Sequence, residues 1–266
     1  MPSLKGSGSH LALYSAVFMS SITLAAEQAS DMTAREVTAM LFDAQAGTVN
    51  LSGRNLSNLD LSGLDFKKAR LSNADLFGTD LADSNLREAD LAGARLDRTT
   101  LTRTRFTGAD LTGAKILRPN IFASLDVTFT EQPDFSNARM VGAKLAGRFE
   151  RVSFAGTDLT NAVFAAVPRQ NETLISPRSE LANCDFSGAK LQNADLGFND
   201  LRFARFVNAD LRGASFVEAN LEGANFSGAD VSGADFTNAR ISDAQFEGTT
   251  GLDFANGLHP FANDKP

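Results

Sequence analysis

The stretch Leu201-Arg-Phe-Ala-Arg-Phe206-Val-Asn-Ala-Asp-Leu211-Arg-Gly-Ala-Ser-Phe216 decides the fold. A large apolar residue returns at every fifth position, and a small one stands two places before it. Five matches neither the period of a helix (about 3.6 residues) nor that of a strand (about 2). It is not a heptad either. Working outward, the pattern fills one run from Leu51 to Ile121 and a second from Leu181 to Phe246. Leu, Phe, Ile or Val occupies all twenty-nine positions. With 43% hydrophobic residues the chance of that is about 10⁻¹¹, so internal repetition governs the fold.

A chain that turns roughly a right angle every five residues puts the small and the large residue inside and the other three in water. Ala fills the small position at 189, 194, 204, 209, 214, 219, 224, 229, 234, 239 and 244. Asp, Asn or Arg usually precedes the large residue, and turn-prone Ser, Thr, Gly or Asn follows it, as corners require. Four sides close a square coil, and coils stack at the strand spacing of about 4.8 Å. Asn73-Ala74-Asp75-Leu76-Phe77 and Gly228-Ala229-Asp230-Val231-Ser232 show the register. They resemble the pentapeptide repeat family, whose motif is Ala-(Asp/Asn)-Leu-x-x, over residues 49 to 250. The resemblance implies an all-β protein, a right-handed quadrilateral β-helix. At this length it would have about nine coils and a short N-terminal capping helix.

Residues twenty apart should then stack. Phe186, Phe206, Phe226 and Phe246 form one expected column, with Phe216 and Phe236 on the opposite face below Leu196. Cys184 falls at a small inward position, which makes it a buried structural thiol. The column Asn55, Asp75, Arg95, Lys115 mixes signs, so carboxylates are distributed by the repeat and not clustered.

Two interruptions break the register, at 122–134 and 165–180, insertions of nine and twelve residues. Both carry proline: Pro133 in one, Pro168 and Pro177 in the other. Between them the series runs through Met140 and Leu145, loses one residue to reach Phe149, and continues through Leu159 to Phe164. Loops on a rigid scaffold concentrate function. Arg169, Gln170, Asn171, Glu172, Leu174, Ile175 and Arg178 are therefore the candidate interaction loop, the alternative being a tolerated surface insertion.

The termini differ from the repeat. Lys5 precedes an uncharged apolar run from Leu11 to Ala26, and Thr23-Leu24-Ala25 offers a small-x-small cleavage site. Residues 1–25 are expected to be a cleaved signal peptide, which makes the protein periplasmic or secreted. Residues 26–48 hold a linker and a capping helix. There Thr33 and Glu36 form a capping box, Val37, Met40, Leu41 and Ala44 make one apolar face, and Gly47 supplies the stop. Residues 251–266 read as an irregular C-terminal cap, with His259 in its tail.

Composition narrows the function. The chain has one Cys, two His, one Tyr and no Trp, and His10 and Tyr14 both lie in the proposed signal. This argues against a disulfide scaffold, Cys/His zinc sites and most histidine acid–base chemistry. A net charge of −7 disfavours nucleic acid as a partner. No cofactor or metal is expected. The sequence reads as a non-catalytic, exported structural or protein-interaction module with a protein partner. The resemblance supplies the alternative, because some family members mimic DNA, bind topoisomerases and confer quinolone resistance. Outward Arg70, Arg95, Arg105, Arg205 and Arg240 break any acidic strip here.

Overall fold

The structure is a computed structural model that describes residues 30–44, 49–121, 131–164 and 179–258. The proposed signal, Gly47, His259 and most of both interruptions lie outside the described residues.

Four parallel ladders carry the fold. One runs through Asn50, Arg70, Asp90, Asp110, Arg139, Asp158, Lys190, Asp210, Asp230 and Thr250. The next face is bridged through Asn55, Asp75, Arg95, Lys115 and Lys144, and on through Val163 to Asp195, Ser215, Asp235 and Asn256. Most rungs are single bridges; only β1 (Lys115–Leu117) and β2 (Lys144–Ala146) pair over three residues. Each rung bonds both ways: Leu191 N–H donates to Asp210 O at 2.7 Å, and Asp210 N–H to Ala189 O at 3.0 Å.

Corners follow one rule. The residue two places after each large one sits at positive φ, as Asn193 (55°) and Gly213 (68°) do. The next N–H closes the turn, as Ala194 N–H donates to Leu191 O at 3.0 Å. Glycine is favoured by conformation and by tight space at Gly147 (φ 138°), where one side shortens to four residues between Leu145 and Phe149. A Cβ there would stand 3.1 Å from Arg118 Cα and 3.3 Å from Pro119 Cδ.

The abundance of Asp and Asn has a local cause. Asp60, Asp75, Asp195 and Asp230 each accept from the backbone N–H two residues on, at 3.0–3.1 Å. These side chains brace corners. Hydrogen bonds from the Ser62 and Thr237 side chains hold Asp60 and Asp235 below the ordinary carboxylate pKa, and the Arg103 and Arg212 guanidinium groups do the same for Asp83 and Asp210. A carboxyl group depressed in this way stabilises the fold above its unfolded pKa of about 3.9 and loses that contribution as pH falls through its folded value. The melting temperature should therefore stay level from about pH 7 to 5 and fall progressively below about pH 4. A rise on acidification, followed by circular dichroism, would contradict these roles.

Inside, the large residues form one continuous core. The aromatic column is longer than the sequence spacing indicates: Phe106, Phe135, Phe154, Phe186, Phe206, Phe226 and Phe246 stack at 4.8–5.4 Å. Phe216 and Phe236 stack on the opposite face at 4.9 Å, and Phe216 meets Phe206 edge-on at 5.5 Å.

Most polar residues at the small inward position share one contact; Thr99 departs from it and donates to Leu96 O in its own turn. Thr79, Ser84, Thr104 and Thr157 donate to the carbonyls of Leu56, Leu61, Leu81 and Phe135, large residues of the preceding coil. Cys184 does the same, its Sγ 2.9 Å from Phe149 O. It is fully buried, and burial pushes its thiol pKa far up, so it is a packing residue.

At the N-terminus α1 spans Ala34–Asp43, with the Thr33–Glu36 capping box formed at 2.8 and 3.3 Å. Val37 enters the core, and Leu41 and Ala44 pack partly against it. Met40 departs from the expected apolar face and is 38% exposed, because the helix meets the solenoid along the narrower Val37–Leu41–Ala44 line. At the other end Leu252–Phe254 makes a 3-10 turn, and Asn256 O accepts from Phe236 N–H at 2.8 Å.

Candidate interaction site

Arg169, Gln170, Asn171, Glu172, Leu174, Ile175 and Arg178 lie outside the described residues. What the structure gives is the framework from which their segment departs and returns. Phe164 precedes it and Ser179 follows it, both buried, and Glu180 is already a rung between Arg148 and Asp200. In an uninterrupted side, Ser179 N–H would donate to Phe164 O. Here Asn199, buried at a small inward position of the next coil, mends the break. Its Oδ1 accepts from Ser179 N–H at 3.0 Å, and its Nδ2 donates to Phe164 O at 2.8 Å.

The other interruption solves the same problem differently. Glu131 O accepts from Arg103 N–H at 2.8 Å, so the coil resumes at Glu131 and Asp134 is a regular rung. The residue whose N–H would need the lost partner is Pro133, which has none.

Replacing Asn199 with Ala should leave a buried donor and a buried acceptor unpaired and cost about 1–3 kcal/mol. Asn199→Thr should lose less, since a hydroxyl in this slot can reach the preceding carbonyl as Thr79 does. Denaturant midpoints decide it, and equal stability of wild type and Asn199→Ala would exclude the clasp.

Beside these feet stand two rings that the repeat does not need. Phe198 (φ 62°) and Phe203 (φ 58°) occupy left-handed corners that elsewhere hold mostly Gly, Asn or charged residues. They are 53% and 55% exposed, at the two ends of one side of the same coil. Phe203 lies over Gly223 of the following coil. A bulky residue in this conformation costs about 1–2 kcal/mol. Between them Arg202 grips Asp200 through Nη2 at 2.7 Å, and two coils back Arg148 joins Glu180 at 2.9 Å and Glu150 at 3.1 Å. The signal for the two rings was in the sequence, as the only aromatic residues at that corner position in the second run.

No group of three or more His, Cys, Asp or Glu able to hold a metal occurs among the described residues. Nor is any described helix long and apolar enough to cross a membrane. The geometry offers a flat, rigid, charged wall with two exposed rings.

The repeat seen in the ladders also matches a known family model, that of pentapeptide repeats, in eight copies over residues 49–83, 79–116, 179–216 and 214–250. The chain belongs to the pentapeptide repeat family. Among solved pentapeptide repeat structures it is similar to HetL, involved in heterocyst differentiation regulation in the cyanobacterium Nostoc sp. strain PCC 7120. The identity is 25%, over 84% of this chain and 98% of that one, with a TM-score of 0.38. Rfr23 from the cyanobacterium Cyanothece 51142 is 20% identical over 47% of this chain and 88% of its own, with a TM-score of 0.38. QnrB1, a plasmid-mediated fluoroquinolone resistance protein, is 17% identical over 80% and 92%, with a TM-score of 0.33. No curated protein matches the sequence. In pentapeptide repeat terms, Asn199 stands where the motif has Ala, and Phe198 fills the variable position just before it.

Proposed function

We propose that this pentapeptide repeat protein is a non-catalytic, exported protein-interaction module. Its contact surface centres on the 165–180 insertion and the exposed Phe198 and Phe203 beside it. One observation carries the reading: two solvent-exposed rings are kept in a backbone conformation that Asn or Gly would occupy at lower cost. Strain retained next to an insertion on a rigid scaffold is how contact residues are held. The scaffold in this reading is a right-handed coil of nine turns. The ten rungs from Asn50 to Thr250 and the strong right-handed preference of parallel crossovers support it. The protein acts in the periplasm or outside the cell, with an apolar and charged surface of another protein as its partner.

Wild type and a Phe198→Asn/Phe203→Asn variant, immobilised and exposed to periplasmic extract, test the contact. The variant should keep or raise its melting temperature while losing the captured protein. Unchanged capture, or a large drop in melting temperature, would refute the reading. Export has its own optical test. Tyr14 is the only Tyr and there is no Trp, so processed protein should be nearly transparent at about 280 nm while retaining phenylalanine bands. A tyrosine band of full strength would mean that residues 1–25 remain.

A further inference from the structure

On the second face the ladder stacks like charges. Arg95 pairs in register with Lys115, and Lys115 with Lys144. At the adjoining corner Arg98 and Arg118 occupy equivalent places in successive coils. All five are exposed, and among the described residues the carboxylates paired with them are Asp75 and Asp97. Both are consumed by Arg95, at 3.2 and 3.0 Å, and Asp97 also accepts from Leu117 N–H at 3.2 Å. Lys115, Lys144, Arg98 and Arg118 make no ion pair among the described residues. Like charges directly opposite one another in a ladder oppose folding. In a chain of net charge −7, such a concentration is not a by-product of composition.

We propose that this face is a second binding surface, which takes a carboxylate-rich segment of a partner protein. Arg95 already displays the mode of recognition: its guanidinium lies between two carboxylates, with its cation 4.3 Å from the Phe77 ring centroid. The rungs below repeat the cation at the coil spacing without repeating the carboxylate. Carboxylate is favoured over phosphate because the main-chain N–H groups are spent. Lys115 N–H donates to Ala94 O, Arg118 N–H to Ala146 O and Lys144 N–H to Ala114 O. These three donors offer no nest, so side-chain cations are what the rungs present. The proposal rests on the reading of the chain as a protein-binding module, but its cations stand two or more coils away from Phe198, which shares their corner column, and Phe203 lies one corner further on.

The test is binding of fluorescent poly-L-glutamate at low salt, followed by anisotropy, with polyphosphate of matched charge as the second ligand. Lys115→Gln/Lys144→Gln should weaken poly-L-glutamate binding by about tenfold and flatten its salt dependence, at an equal or higher melting temperature. Lys190→Gln/Arg205→Gln, which removes two cations from other faces, should leave binding unchanged. The proposal is overturned if wild type binds no poly-L-glutamate, if the two variants weaken it equally, or if polyphosphate binds about tenfold more tightly. A lower melting temperature of Lys115→Gln/Lys144→Gln would overturn it too, by making the cations structural. Phe198→Asn/Phe203→Asn should bind poly-L-glutamate as wild type does, so failure of the ring-centred contact and failure of this face register in different variants.

Discussion

Phe206→Ala should destabilise the solenoid by about 3–5 kcal/mol, the range for an aromatic ring removed from a core. The ring is fully buried between Phe186 at 5.1 Å and Phe226 at 4.9 Å, both within 9° of parallel, with the edge of Phe216 at 5.5 Å. The cavity cannot close by collapse, because the backbone on either side is fixed. Phe206 N–H donates to Asn225 O, and Phe186 N–H to Arg205 O, each at 2.7 Å. Phe246 offers the contrast within the same column. It stacks on Phe226 at 5.0 Å but is only partly buried at the last coil. Phe246→Ala should therefore cost markedly less, near the about 1.5–3 kcal/mol of burial alone. Denaturant midpoints of the two variants would expose an error in the stacking if they coincided.

That column also marks where sequence reading stops. Phe186, Phe206, Phe226 and Phe246 are evenly spaced and could be aligned by arithmetic. Phe106, Phe135 and Phe154 belong to the same stack, but insertions and one deletion change the spacing. For the same reason Lys144 falls below Lys115 across a gap of twenty-nine residues. The column that mixes signs over its first four members turns into a stack of cations. A periodic rule gives partners only while the period holds, and hydrogen bonding decides where it resumes. Asn199 is the sharper case. Alone it reads as an imperfect small residue, and its role emerges only once Phe164 O and Ser179 N–H are known to face it. Phe198 and Phe203 were legible as residues but not as strained ones, since φ is a property of the corner they occupy.

The small inward positions make the opposite demand from the rings, and Ala214→Leu is the substitution that tests it. Ala214 is fully buried, with Ala194 and Ala234 at the equivalent places in adjoining coils. Its N–H donates to Leu211 O at 2.9 Å, and its O accepts from Asp235 N–H at 2.9 Å, so the backbone is tied on both sides and cannot retreat. Added carbons must then enter a layer already filled by Phe216 and Phe236, stacked at 4.9 Å. Overpacking of this kind costs about 1–3 kcal/mol. The upper end is expected here, because a displaced ring would push on its edge-on neighbours Phe206 and Phe226 as well. Glu222→Leu adds a comparable apolar side chain to an outward position of the same coil and should change stability by less than about 0.5 kcal/mol. The ratio between the two matters more than either value. If Leu were tolerated equally at 214 and 222, the small residue would not be inside, and the square cross-section built on it would be wrong.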